Sequence, residues 1–196
     1  KINNEQLTMN KIKIKQKYSL FNNFILFLGT IEPRKNIIGL IEAYEQSHSL
    51  LSIPHSLVIA GAKGWHTKKI YDRANKSPLR DNIKFIGYVN AQDKPALYST
   101  ASLFVYPSFY EGFGFPILEA MSCGTPVISS NRSSLTEVTE NAAYLVNPNK
   151  PAEISKAIVG LLNKKKLREY FIAKGLEQAK KFSWERAAKK WLEIIN

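Results

Sequence analysis

The 196-residue chain is poor in cysteine, in aspartate and in long apolar runs, and each scarcity excludes a class of protein. Cys123 is the single cysteine, so no internal disulfide and no cysteine-built metal cage can form, and the reducing cytoplasm is the expected compartment. Three aspartates occur, Asp72, Asp81 and Asp93, none paired as Asp-x-Asp, so no carboxylate clamp for a divalent metal on a diphosphate is expected. His48, His55 and His66 share no metal-ligand spacing, and the expected metal content is none. No apolar run approaches the ~20 residues that span a bilayer. The polar, lysine-studded stretch from Lys1 to Lys17 carries no signal-peptide pattern. A Walker A sequence is missing, which argues against a P-loop ATPase. Gly29 is followed by Thr30-Ile31-Glu32, and Gly112-Phe113-Gly114 by Phe115-Pro116-Ile117. Neither makes the Gly-x-Gly-x-x-Gly turn, so a nicotinamide- or flavin-dependent oxidoreductase loses its main support.

What is present is a core and a positive charge. Hydrophobic residues make up 44% of the chain, enough for one globular domain. The formal net charge is +12, with lysines concentrated late at Lys164-Lys165-Lys166, Lys180-Lys181 and Lys189-Lys190. These lysines read first as a solvated helix face and second as a peripheral contact with the inner face of a membrane. Aromatic residues do not interleave with them as a base-stacking platform requires, so nucleic acid is not an expected partner.

Apolar runs alternate with helical spacing. Phe24–Leu28, Ser56–Gly61, Ile83–Gly87, Leu103–Tyr106, Pro126–Ser129 and Ala143–Val146 read as strands. Ile37, Leu40, Ile41 and Tyr44 mark a helix with Asn36 at its N-cap position, and helices are also predicted at His66–Asn75 and Asp93–Thr100. This alternation predicts an α/β domain, a doubly wound, Rossmann-like parallel sheet of about six strands. Ligands of such sheets bind beyond the carboxyl ends of the strands. Three loops then share one rim, running from Gly29 to Lys35, from Gly61 to Gly64 and from Pro107 to Phe115. Residues 1–22 read as a linker, within which Lys11-Ile12-Lys13-Ile14-Lys15 alternates like a short exposed strand. The C-terminal part is helical. One apolar stripe runs through Ile154, Ala157, Ile158, Leu161 and Leu162. A second, after Ser183 as N-cap, runs through Trp184, Ala187, Ala188, Trp191, Leu192 and Ile195.

The most informative segment is Glu111-Gly112-Phe113-Gly114-Phe115-Pro116-Ile117-Leu118-Glu119. Two glycines open the backbone between two carboxylates, and Pro116 suits the first turn of a helix, where its missing N–H costs nothing. Amides leading into a helix N-terminus suit an anion, and carboxylates, which only accept hydrogen bonds, suit hydroxyls. Hydroxyls on both sides of a phosphate describe a sugar nucleotide. Arg34 and Lys35 stand on the same rim as cations for that phosphate.

With these residues the chain resembles the C-terminal, donor-binding domain of GT-B glycosyltransferases of family 4 (glycosyl transferases group 1). The similarity runs from about Phe24 to Ile195 and rests most on the run from Glu111 through Gly124-Thr125-Pro126-Val127, which looks like that family's Glu-x7-Glu signature. The segment Gly29-Thr30-Ile31-Glu32-Pro33-Arg34-Lys35-Asn36 resembles a mannosyltransferase-like branch. The resemblance implies that Glu111 contacts hydroxyls of the transferred sugar and that Glu119 holds the ribose. It implies that Arg34 and Lys35 neutralise the leaving diphosphate, leaving open which cation meets which phosphate. It sets Phe113, Gly114 and Phe115 near sugar and diphosphate, Tyr88 and Val89 near the base, and Leu118 near ribose or base. Gly29, Thr30 and Gly61 complete the donor-binding candidates. Thr30 stands where many members carry Arg, and Thr136 where a Pro often precedes the Glu that is here Glu137.

The expectation is a retaining, metal-independent hexosyltransferase without a resident cofactor. Its donor is GDP- or UDP-linked, with GDP-mannose favoured by the branch. Its acceptor is a glycan or lipid-linked molecule, held by an N-terminal domain for which this chain shows no sequence. Residues 23–182 would form the donor domain, and the helix at 183–196 would cross to that other domain. A non-catalytic interaction domain, partnering a separate acceptor-binding chain, is the alternative.

Overall fold

The computed structural model describes residues 4–195, and the side chains of residues 9–189 and 191–194. Helix α1 (Asn4–Lys17) precedes the alternating body: β1 (Phe24–Leu28), α2 (Ile37–His48), β2 (Ser56–Ala60), α3 (Lys68–Asn75), β3 (Ile83–Gly87), α4 (Lys94–Thr100), β4 (Leu103–Tyr106), α5 (Phe115–Ser122), β5 (Val127–Ser130), α6 (Leu135–Thr139) and β6 (Tyr144–Val146). Three helices close the chain: α7 (Pro151–Asn163), α8 (Lys165–Ala179) and α9 (Trp184–Ile195).

The six strands form one sheet in the order β3-β2-β1-β4-β5-β6, every pair parallel. Strand order reverses between β1 and β4, and at such a switch point two successive crossovers leave on opposite faces and open a crevice. Helix α2 packs on α3 and on α7, while α1 packs on α4, α4 on α5 and α5 on α8. Right-handed crossovers set these two groups on opposite faces. Coverage on both sides explains the unbroken apolar runs: every residue of β1, β2 and β4 is buried.

The backbone ladder continues past the strand ends into the rim. Gly29 N–H donates to the Ala60 carbonyl at 3.0 Å and Gly61 N–H to the Gly87 carbonyl at 2.7 Å. Gly61 has φ +142°, and a Cβ there would lie 1.8 Å from the Gly29 carbonyl oxygen. Only glycine lets the ends of β1 and β2 come this close.

The sequence reading needs three corrections. The alternating lysines of residues 11–15 are helical, within α1, rather than strand. The pattern misleads because only Ile14 of α1's described side chains is buried, and the helix is fixed from elsewhere. The Lys17 ammonium and the Tyr18 hydroxyl reach Asp93, just before α4, at 2.6 and 2.7 Å. Asn36 does stand at the start of α2, but its side chain makes no cap hydrogen bond. Its amide instead donates to the carbonyls of Pro107 and Pro148, at 3.2 and 2.7 Å, and its φ is +55°. Asparagine tolerates that left-handed backbone better than most residues. Finally, Pro33–Lys35 is a 3-10 turn within what reads as loop. Ser183 does cap α9, accepting from Arg186 N–H at 3.2 Å. Residues 1–3 of the predicted linker, Asn196, and the side chains of Lys190 and Ile195 lie outside the described residues. Among the described residues no helix is long and apolar enough to cross a membrane.

Candidate functional site

The switch point sends two loops over the sheet's carboxyl edge, one after β1 and one after β4. Phe109 N–H donates to the Arg34 carbonyl at 2.9 Å and ties them together. Their side chains then meet. Lys35 Nζ lies 2.6 Å from Glu111 Oε1 and 2.7 Å from the Tyr106 hydroxyl. Arg34 Nη1 donates to Glu111 Oε2 at 2.9 Å and to the Tyr110 carbonyl at 2.6 Å, and Nη2 to Glu32 Oε1 at 2.6 Å. The second oxygen of Glu32 accepts from the Trp65 indole at 2.8 Å. Two carboxylates and two cations thus form a neutral chain of three ion pairs, a quartet running from Lys35 through Glu111 and Arg34 to Glu32. Glu32, Lys35 and Glu111 are buried, while Arg34 is partly open to solvent.

This setting fixes charge states. Burial works against the ionised form of Glu111, but polar neighbours, led by the Lys35 hydrogen bond and including Ser108, the Lys35 charge and Arg34, outweigh it and hold the carboxyl below its ordinary value. Burial likewise opposes the Arg34 charge and is outweighed by Glu111 and Glu32. Burial, reinforced by the nearby Glu111 charge, drives the Tyr106 hydroxyl far up, so it stays protonated.

A carboxylate with a depressed folded value stabilises the fold fully above its unfolded value, near 4.5 for Glu111, and loses that contribution as pH falls through the lower folded value. Glu111→Gln is therefore expected to remove part of the loss in thermal stability on acidification below that pH. Melting curves of both proteins from pH 7 to 3 check it, and parallel pH profiles would refute it.

A cleft of about 550 Å³ opens beside the quartet. Of the sequence-predicted residues, Gly29, Thr30, Lys35, Gly61, Tyr88, Val89, Glu111, Phe113, Gly114 and Phe115 line it. Arg34 is not on its wall and joins through Glu111. Leu118 and Glu119 line a neighbouring cleft of about 770 Å³, which shares Phe113 and Phe115 with the first and is bounded by Phe182 and Trp184. Glu119, on α5, accepts from the Tyr98 hydroxyl at 2.9 Å and lies 3.4 Å from Lys94 Nζ, and Lys94 lines the first cleft. Gly114, with φ +108°, starts α5, whose amino end faces this region with Pro116 in its first turn.

Tyr106, Lys94 and Glu32 escaped the sequence reading. A hydroxyl-bearing aromatic at the carboxyl end of a strand, as Tyr106 is, marks the rim and could have been found. Lys94 and Glu32 carried no such signal, since their partners lie 25 or more residues away or depend on a turn. Among the described residues, no three His, Cys, Asp or Glu side chains converge into a metal-holding group.

Comparison with known proteins follows the same residues. The family described as "Glycosyl transferases group 1" matches residues 10–178. The "O-antigen chain mannosyltransferase B" of Escherichia coli is 44% identical over 175 residues, which cover 89% of this chain and 46% of that protein. Among solved structures, sucrose-phosphate synthase from Thermosynechococcus elongatus superposes with a TM-score of 0.81 at 26% identity, over 94% of this chain and 48% of its own. Anabaena HepE, solved in complex with UDP and glucose, shares the fold with a TM-score of 0.84 at 21% identity, over 95% of this chain and 52% of its own. The chain thus spans about half the length of the relatives it matches here. A doubly wound sheet, paired glutamates at its switch point and a family match over most of the sequence lead to one conclusion: the chain belongs to the glycosyl transferases group 1 family.

Proposed function

We propose that the chain is the donor-binding part of a glycosyltransferase that moves a hexose from a nucleotide diphosphate onto a glycan or lipid-linked acceptor. The observation that carries this reading is the quartet of Glu32, Arg34, Lys35 and Glu111, of which Lys35 and Glu111 line the switch-point cleft. A donor diphosphate would take Arg34 and Lys35 as counter-charges, and Glu111, released from them, would accept hydrogen bonds from sugar hydroxyls. Glu119 would hold the ribose. Departure of the diphosphate is then assisted by cations and by the amino end of α5, with donor orientation supplied by the carboxylates. We infer retention of configuration from the family resemblance alone, and no need for a metal because side chains and backbone amides would supply the positive charge. GDP-mannose is the leading donor, supported by the mannosyltransferase among the relatives; UDP-sugars are the next, supported by the UDP of the HepE structure. The acceptor we assign to a domain outside these residues. The face of α9, with Trp184 and Trp191 81% and 68% exposed, is the surface we assign to contact with it. Tight association with a partner without any nucleotide affinity would instead favour an interaction module.

Titration calorimetry without metal, using GDP, UDP and their sugars, tests the proposal. One diphosphate and its sugar nucleotide should bind the folded chain, and no heat from any of them overturns it. Glu119→Ala should weaken both ligands by roughly tenfold, as expected for a lost charge-assisted hydrogen bond. Glu111→Ala should weaken mainly the sugar nucleotide. Equal effects of both substitutions on both ligands would contradict the assignment of sugar and ribose.

A further inference from the structure

We propose that Ser133 and Ser134 are positioning residues for Glu111, forming a clamp that sets the sugar end of the cleft; this rests on the donor-site reading above. They lie on the turn into α6, after β5, and meet the Glu111 loop through their hydroxyls. Ser133 Oγ accepts the Glu111 N–H at 3.0 Å. Ser134 Oγ donates to the Glu111 carbonyl at 2.9 Å, with the Phe113 carbonyl at 3.2 Å sharing the same proton. Both backbone polar groups of Glu111 are therefore held by the same two-residue turn.

Two features tie the turn to this contact. Ser134 occupies the N-cap position of α6 but makes no side-chain cap bond. A serine cap contributes about 1 kcal/mol to a helix, and here the hydroxyl serves the neighbouring loop instead. Ser133 is held at φ +50°, a left-handed conformation unusual for a residue other than glycine, asparagine or aspartate. That conformation accompanies a hydroxyl placed on the Glu111 amide. The turn itself is anchored. Leu135 is fully buried, and a Cβ on Gly114 would come within 2.6 Å of its Cδ2, so the turn and the glycine loop are in direct contact. Gln178 of α8 donates to the Val138 carbonyl at 2.9 Å and fixes α6 from behind. The Glu111 carboxylate is held in front by Lys35 and Arg34, and its backbone is held from behind by the two serines. When the cations turn to a diphosphate, the serines would still hold the backbone from which the carboxylate reaches the sugar.

Calorimetry on the full chain with a nucleoside diphosphate and its sugar form tests the clamp. Ser133→Gly suits the positive φ while removing the hydroxyl, and Ser134→Ala removes the second. Each is expected to cut the preference for the sugar nucleotide over the bare diphosphate by roughly fivefold, the worth of one hydrogen bond, and to leave diphosphate affinity within about twofold. Ser134→Thr should restore the preference. Unchanged preference in both variants, or equal weakening of both ligands, overturns the clamp while leaving the donor site standing. A parent chain that binds neither ligand overturns the donor site and the clamp together. Should Ser133→Gly fail to fold, Ser134→Ala carries the same comparison. Exchange of the Glu111 amide in the parent chain, read by hydrogen exchange, should then be slow, and free exchange there would refute the clamp.

Discussion

Replacing Lys35 by methionine is expected to lower stability by about 3 kcal/mol and to weaken diphosphate binding by roughly 10- to 100-fold. Lys35 and Glu111 are a buried pair, their side chains 8% and 9% exposed. Removing the ammonium leaves a carboxylate out of water with only the partly exposed Arg34 to face it, and the Tyr106 hydroxyl loses its lysine partner. An uncompensated buried charge costs far more than the net worth of the pair, because its desolvation is no longer offset. For a domain of this size the melting temperature should fall by roughly 6–12 °C. Adding Glu111→Leu to Lys35→Met should recover much of that stability, since an apolar pair can replace a buried ionic one. Donor binding should not return with it. Recovery of both together would mean that the pair serves the fold only. Retention of full stability in Lys35→Met would mean that Glu111 finds water or another cation.

Gly61→Ala is expected to destabilise the domain by about 3 kcal/mol and to distort the cleft floor. The new Cβ would fall 1.8 Å from the Gly29 carbonyl oxygen, at a backbone φ of +142° that L side chains rarely adopt. Relief requires the loops after β1 and β2 to separate, and both Gly29 and Gly61 line the cleft. Thermal melting and calorimetry with a nucleoside diphosphate should therefore both register the change. Gly112→Ala is the control, since a Cβ at Gly112 meets nothing within 4 Å. Equal stability of the two variants would remove the steric argument.

Much of this fold was legible in the sequence because burial on both faces writes a strand as an unbroken apolar run. Phe24–Leu28 and Leu103–Tyr106 stand in the structure where the runs stand in the sequence. Their order along the chain, with helices between, already implied that loops after β1, β2 and β4 share a rim. That is why ten of the thirteen candidate residues line one cleft, a statement of place and not of role. What stayed hidden depends on partners distant in sequence. The helicity of α1 is fixed by Ile14 in the core and by Asp93, 76 residues beyond Lys17. Asn36 offered the signature of a cap, yet its amide reaches Pro148 across 112 residues. Ser133 and Ser134 belong to a polar turn with no periodicity, and only the fold brings that turn beneath Glu111.

The neutral quartet has a consequence for selectivity before any donor arrives. Glu111 occupies the cations as a tethered anion, so every incoming anion has to displace an internal competitor at high effective concentration. Inorganic phosphate would offer the displaced carboxylate at most a P–OH or two beside its own negative charge, and should be disfavoured. A sugar diphosphate would bring hydroxyls that re-engage Glu111 as it is expelled. On the donor-site reading, the quartet would thereby discount simple anions and favour a ligand that carries both its charge and a destination for the carboxylate it dislodges.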